Sequence, residues 1–86
     1  ISQNNRKENM KLTEENIADI PNKFFVTYFA NKHNKYITRK GQWFKPDTDK
    51  ESKAFVSKNG ILCFVYWDLD ADGWRMATNE IVMRAI

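Results

Sequence analysis

An 86-residue chain with 42% hydrophobic residues, twelve of its residues Phe, Tyr or Trp, and a single Cys reads as one small globular domain; it is neither a disordered segment nor a disulfide-stapled secreted scaffold. The net charge of +3 is unevenly spread: residues 21–59 carry nine Lys/Arg against three Asp/Glu, and residues 60–86 carry two against four. No apolar run approaches the roughly 18 residues needed to span a bilayer and no secretory leader pattern is present, so the expected setting is a reducing cytoplasm away from membranes.

Residues 1–9 (ISQNNRKEN) form a polar extension, and residues 10–86 are expected to form the single domain. "KLTEENIADIP" has the marks of a short helix. Thr13 stands as N-cap, Glu14 and Glu15 suit the helix dipole, and Pro21 stops it. Leu12 and Ile17 occupy the two positions of a hydrophobic staple. Two turns are not stable alone, so this helix is expected to dock on the rest of the domain.

"KFFVTYFA" (23–30) reads as a strand, "NKHN" (31–34) as a polar turn, and "KYITRKGQWF" (35–44) as the returning strand. Gly41 inside that strand suggests a bulge or bend. The stretch 47–58 is open to two readings, of which a loop with a short helical turn is preferred. Thr48 with Glu51 makes a capping box, which favours a loop with a short helical turn. Asn59-Gly60 between apolar runs instead signals a hairpin with "AFVSK" as the incoming strand.

"ILCFVYWDLD" (61–70) is a strand apolar on both sides, with Leu62, Phe64 and Tyr66 on one and Cys63, Val65 and Trp67 on the other. Its outer side needs a cover, which the N-terminal helix or a second copy would supply. "WRMAT" (74–78) pairs back and "EIVMRAI" (80–86) alternates as a last strand. A helix followed by about five strands with short turns describes a small SH3-like or Sm-like barrel, mainly β.

"DLDADGWRMATNE" (68–80) mimics a calcium loop, with Asp68, Asp70, Asp72 and Gly73 at the first four ligand-loop positions. The twelfth position, which needs a bidentate Glu, holds Asn79, Arg75 stands where an aliphatic residue belongs, and the preceding segment is strand-like. The stretch is therefore read as a tight hairpin with a two-residue turn at Asp72-Gly73, opposing Asp70 with Arg75 and Leu69 with Met76. No metal or other cofactor is expected. His33 and Cys63 are single residues on a turn and a buried strand, and neither zinc ligation nor a nucleophile pair is expected of them.

"YWDLDADGWR" (66–75) also resembles the signature hairpin of small phage-encoded proteins with a WYL-like, Sm-like β-barrel fold, which show an aromatic, Asp-Leu, a short turn and Trp-Arg. Tyr66, Asp68, Leu69, Trp74 and Arg75 match that pattern, and the resemblance extends over residues 23–86. It implies a small barrel in a viral setting, acting in the host cytoplasm. WYL-type domains are associated with transcription regulation, phage defence and sensing of nucleic acids or nucleotides.

The strongest functional constellation in the residues themselves is basic and aromatic. Lys32, His33, Lys35, Arg39, Lys40 and Lys45 lie in or beside the first hairpin, with Tyr36 and Trp43 among them. Cations neutralise phosphates and aromatic faces stack unpaired bases. The expectation is a non-enzymatic phage accessory protein binding RNA or DNA through these residues. One alternative is a protein-binding inhibitor or modulator of a host transcription or defence component, using aromatics outside the core. Another is an assembly module forming a homo-oligomer. The plain structural reading is an edge strand carrying Lys against aggregation, with Tyr36 and Trp43 in the core.

Overall fold

Alternation of apolar and polar residues dictates most of what the computed structural model shows; it describes residues 9–86, so of the polar extension only Asn9 falls within it. The strands are Met10–Lys11 (β1), Lys23–Ala30 (β2), Lys35–Gln42 (β3), Lys53–Val56 (β4), Leu62–Asp68 (β5), Gly73–Thr78 (β6) and Ile81–Ala85 (β7). The protein is mainly β, as expected, but seven strands rather than five are formed by the described residues. All ladders are antiparallel. The sheet runs β1-β7-β2-β3-β5-β4, with β6 on the other edge of β5. It curls into a half-barrel.

The inner face follows from the period of two. Phe24, Val26 and Tyr28 of β2, Phe64 and Tyr66 of β5, Ala77 of β6, and Ile81 and Met83 of β7 form one buried cluster with Leu12. Burying each of the larger side chains contributes about 1.5–3 kcal/mol. Phe24, Phe64 and Tyr66 meet ring to ring at centroid separations of 5.7–6.1 Å. Gly41 forms no bulge; it pairs regularly with Phe24 and Asp68. Its role is space: a Cβ there would lie 2.7 Å from the rings of both Phe24 and Tyr66.

The N-terminal helix is not formed. Residues 17–19 make one 3-10 turn, and Met10–Lys11 pair with β7 as a strand instead. The predicted cap does exist in miniature. Asn16 N–H donates to Thr13 Oγ1 at 3.2 Å, and Thr13 N–H donates to Asn16 Oδ1 at 2.8 Å. Those bonds close a single turn, while Leu12 N–H donates to Ile81 O at 2.8 Å and draws the chain onto the sheet. Two helical turns carry too few hydrogen bonds to outweigh that addition to the sheet. Met10, Ile17 and Ile20 pack against the core cluster, so this segment plugs the inside of the half-barrel and does not supply the expected cover for the outer side of β5. There Trp67 is covered by Trp74, edge to face at 5.4 Å, and by the Lys45 ammonium 5.6 Å from its ring.

The loop with a short helical turn preferred for residues 47–58 is not what forms over 53–56, which make a hairpin strand. β4 pairs with β5 from Lys53↔Val65 to Val56↔Leu62, and Gly60 supplies the positive φ of 80° that the turn requires. Thr48 caps no helix; its hydroxyl donates to Lys45 O at 2.9 Å within a turn.

The β5–β6 hairpin is formed, but in a different register. The two-residue turn at Asp72-Gly73 gives way to a four-residue loop, Leu69–Asp72, closed by the pair Asp68↔Gly73. Arg75 therefore opposes Tyr66, and Met76 opposes Val65. The cause is Asp68, whose carboxylate accepts the N–H groups of Asp70 at 3.0 Å and Ala71 at 2.8 Å and so holds the loop open. Each partner shifts by four residues, from Asp70 to Tyr66 opposite Arg75 and from Leu69 to Val65 opposite Met76, an even number, so every side chain keeps its expected face.

Candidate nucleic-acid interface

The outer face of β7, β2 and β3 is built by the same alternation that builds the core. With Phe24, Val26 and Tyr28 inward, Lys23, Phe25, Thr27 and Phe29 point outward from β2. The register then sets them in rows across three strands. Arg84, Phe25 and Lys40 form one row, a ring between two cations. Val82, Thr27 and Thr38 form the next, with the two threonine hydroxyls 2.8 Å apart. Phe29 and Tyr36 form the last, where β7 has ended. Lys23 and Gln42 sit beyond the first row.

The rings on this face are not core. Tyr36 is 59% exposed, and it meets Phe29 edge to face at 5.2 Å. The Arg84 guanidinium lies 4.8 Å from the Phe25 ring centroid. Phe25 and Phe29 are four residues apart on one strand, about 13 Å. Lys11 of β1 extends the positive border beside Val82, though its ammonium is shared with Glu80 at 3.9 Å.

The eight residues singled out from sequence do not share one surface. Tyr36 and Lys40 lie on this outer face. Lys32 and His33 are exposed on the Asn31–Asn34 turn. Lys35 and Arg39 stand on the opposite, inner side of β3, together with Ile37. Arg39 is committed: its guanidinium donates to both oxygens of Asp68, at 2.8 and 3.1 Å. Trp43 packs beside Phe64 and donates its indole N–H to Glu51 at 2.9 Å. Lys45 lies over Trp67, on the outer side of β5.

Phe25, Phe29, Lys23 and Arg84 complete the face and were missed in sequence. The signal was present in "KFFVTYFA", whose second, outward set holds two Phe. Arg84 sits 59 residues from Phe25 in the chain, and only the β2–β7 ladder brings it alongside.

Asp68 organises the far end of the same sheet. It is fully buried. Burial alone pushes its carboxyl up, but the Arg39 guanidinium, the Ala71 N–H and the Tyr66 hydroxyl together hold it below the usual carboxylate value. The Tyr66 hydroxyl donates to Asp68 at 3.0 Å. Burial, then the neighbouring Tyr28 and Asp68, push the Tyr66 phenol well above its ordinary range. With its oxygens engaged in this way, Asp68 serves the fold rather than an ion. Among the described residues, no group of three or more His, Cys, Asp or Glu is placed to hold a metal.

No family model, curated protein or solved structure gives a significant match to this chain.

Proposed function

We propose that this chain is a non-enzymatic phage accessory protein that binds single-stranded RNA or DNA on the outer face of β7, β2 and β3. The observation carrying the reading is the row of Arg84, Phe25 and Lys40 beside the exposed Phe29–Tyr36 pair. Aromatic rings on an open sheet face stack unpaired bases, and cations on either side neutralise the backbone. Stacking on aromatic rings is open to every base, so sequence preference should be weak. The viral, host-cytoplasmic setting rests on the resemblance of the Tyr66–Arg75 hairpin alone.

Fluorescence anisotropy with labelled single-stranded RNA and DNA, titrated in salt, tests the reading. Binding that weakens with salt and is lost on Phe29→Ala with Tyr36→Ala supports it. Absence of binding at low salt ends it.

A second reading is favoured by the outer face of β4, β5 and β6. Phe55, Val65, Trp67, Trp74 and Met76 share that side, and Met76 is 51% exposed and Phe55 40% exposed. Such a surface suits a protein-binding modulator, with aromatic anchors outside the core. Nuclease-resistant capture of one host protein, abolished by Met76→Glu, would favour it over the first reading.

A further inference from the structure

The half-barrel leaves one seam without a ladder. β7 pairs with β2 only as far as Tyr28↔Ile81, so among the described residues the Phe29–Ala30 end of β2 has no partner on that edge. β6 lies alongside β2 but is hydrogen-bonded only to β5. A groove follows this seam on both sides of Arg75. One part, about 220 Å³, is lined by Tyr28, Asn31, Lys32, His33 and Arg75 among others. The other, about 470 Å³, continues past Tyr28 and Arg75 to Ala71 and Gly73 of the β5–β6 loop.

The lining is one-signed. Arg75 and Lys32 contribute cations, His33 a further nitrogen donor, and no Asp or Glu lines either part. Asp68 is already paired with Arg39, and Asp70 and Asp72 flank Ala71 on the exposed loop at one end of the groove. Among the described residues the ion pairs are Lys11–Glu80 and Arg39–Asp68, so Arg75, Lys32 and Lys35 have no carboxylate partner. Lys35 stands on the same side of β3 as Ile37, which also lines the groove. Arg75 is exposed, and its side chain forms no hydrogen bond or ion pair with the described residues. An exposed guanidinium beside a groove with no described carboxylate in its lining suits a phosphate group bound through two parallel N–H donors.

We infer that this seam groove is a phosphate-monoester site, with Arg75 as the principal ligand and Lys32 and His33 as the opposite wall. It is separate from the aromatic face, being centred on β6 rather than on the outer side of β2 and β3. The phosphate has two possible sources, a free phosphorylated small molecule or the terminal phosphate of a polynucleotide strand.

The test is an amide chemical-shift titration of the full chain with inorganic phosphate in low-chloride buffer at constant ionic strength. Shifts concentrated at residues 31–33 and 71–76 are expected, weakened about tenfold by Arg75→Met, the loss of one charge-assisted contact, and unchanged by Lys40→Met on the aromatic face. Shifts spread evenly over all basic residues, or unaltered by Arg75→Met, would overturn the inference. 5′-Phosphorylated and unphosphorylated oligothymidylates then identify the source. A 5′-phosphate that tightens binding in the wild type but not in Arg75→Met assigns the site to strand ends. Equal affinities, with inorganic phosphate still bound in the groove, assign it to a small molecule. Phosphate binding with no oligonucleotide binding at all would sink the aromatic-face reading and leave this one standing.

Discussion

Arg39 of β3 and Asp68 of β5 are joined by two parallel hydrogen bonds, at 2.8 and 3.1 Å, with the carboxylate fully buried. The pair lies where β3 and β5 share only a short ladder, Gly41↔Asp68 and Gln42↔Trp67. It therefore holds together the two halves of the curled sheet. Arg39→Met would leave a buried carboxylate with only Tyr66 and two loop N–H groups. A loss of about 3–5 kcal/mol is expected, as for a buried pair broken on one side, and urea denaturation measures it.

The same carboxylate makes stability depend on acid. Its folded value lies below the unfolded one, so its stabilisation is complete above about pH 4, the unfolded range for Asp. It is lost as pH falls through the lower folded value. Tyr66 acts with the opposite sign: its raised value gives stabilisation complete below about pH 10 and lost as pH climbs beyond it. Denaturation midpoints measured across pH should fall at both ends. Asp68→Asn should flatten the acid limb, and Tyr66→Phe the alkaline one.

Gly41→Ala tests whether the residue is required for space. The new methyl would meet the Phe24 and Tyr66 rings at 2.7 Å, and both rings are fully buried and held by neighbours. Overpacking of this kind costs about 1–3 kcal/mol. A thermal melt showing no loss would mean that the rings can move aside.

On the aromatic face, rings and cations should separate in the salt dependence. Tyr36→Ala or Phe29→Ala should weaken single-strand binding by about 1–3 kcal/mol per base stacked, with little change in salt slope. Lys40→Met or Arg84→Met should each reduce the slope of log K against log salt by about 0.7. Tyr36 is exposed and Lys40 has no ion pair among the described residues, so the Tyr36 and Lys40 variants should melt like the wild type.

Five of the seven strands among the described residues, β2, β3, β5, β6 and β7, were legible because each carries its own period. "KFFVTYFA" and "ILCFVYW" place alternate residues on opposite faces whatever they pair with, and that parity survived even the four-residue shift of register at the β5–β6 hairpin. The slip could not be read locally. Asp72-Gly73 satisfies a tight turn by itself, but Asp68 binds the loop N–H groups and Arg39 at once, and Arg39 lies 29 residues upstream. The missing helix has a related cause: Thr13 and Asn16 encode a cap, whereas the competing bond from Leu12 to Ile81 spans 69 residues.

The candidate site divides in the same way. The basic and aromatic character of residues 23–45 is a property of composition and needs no fold. Which of those side chains act together was decided by pairing. The ladders carried Arg39 inward to Asp68, left Tyr36 and Lys40 outward, and set Phe25 between Lys40 and Arg84. Local patterning determines which face of a strand a side chain occupies, since that depends only on backbone pleat. Its neighbours on that face come from other parts of the chain, and only the closed set of tertiary contacts chooses them.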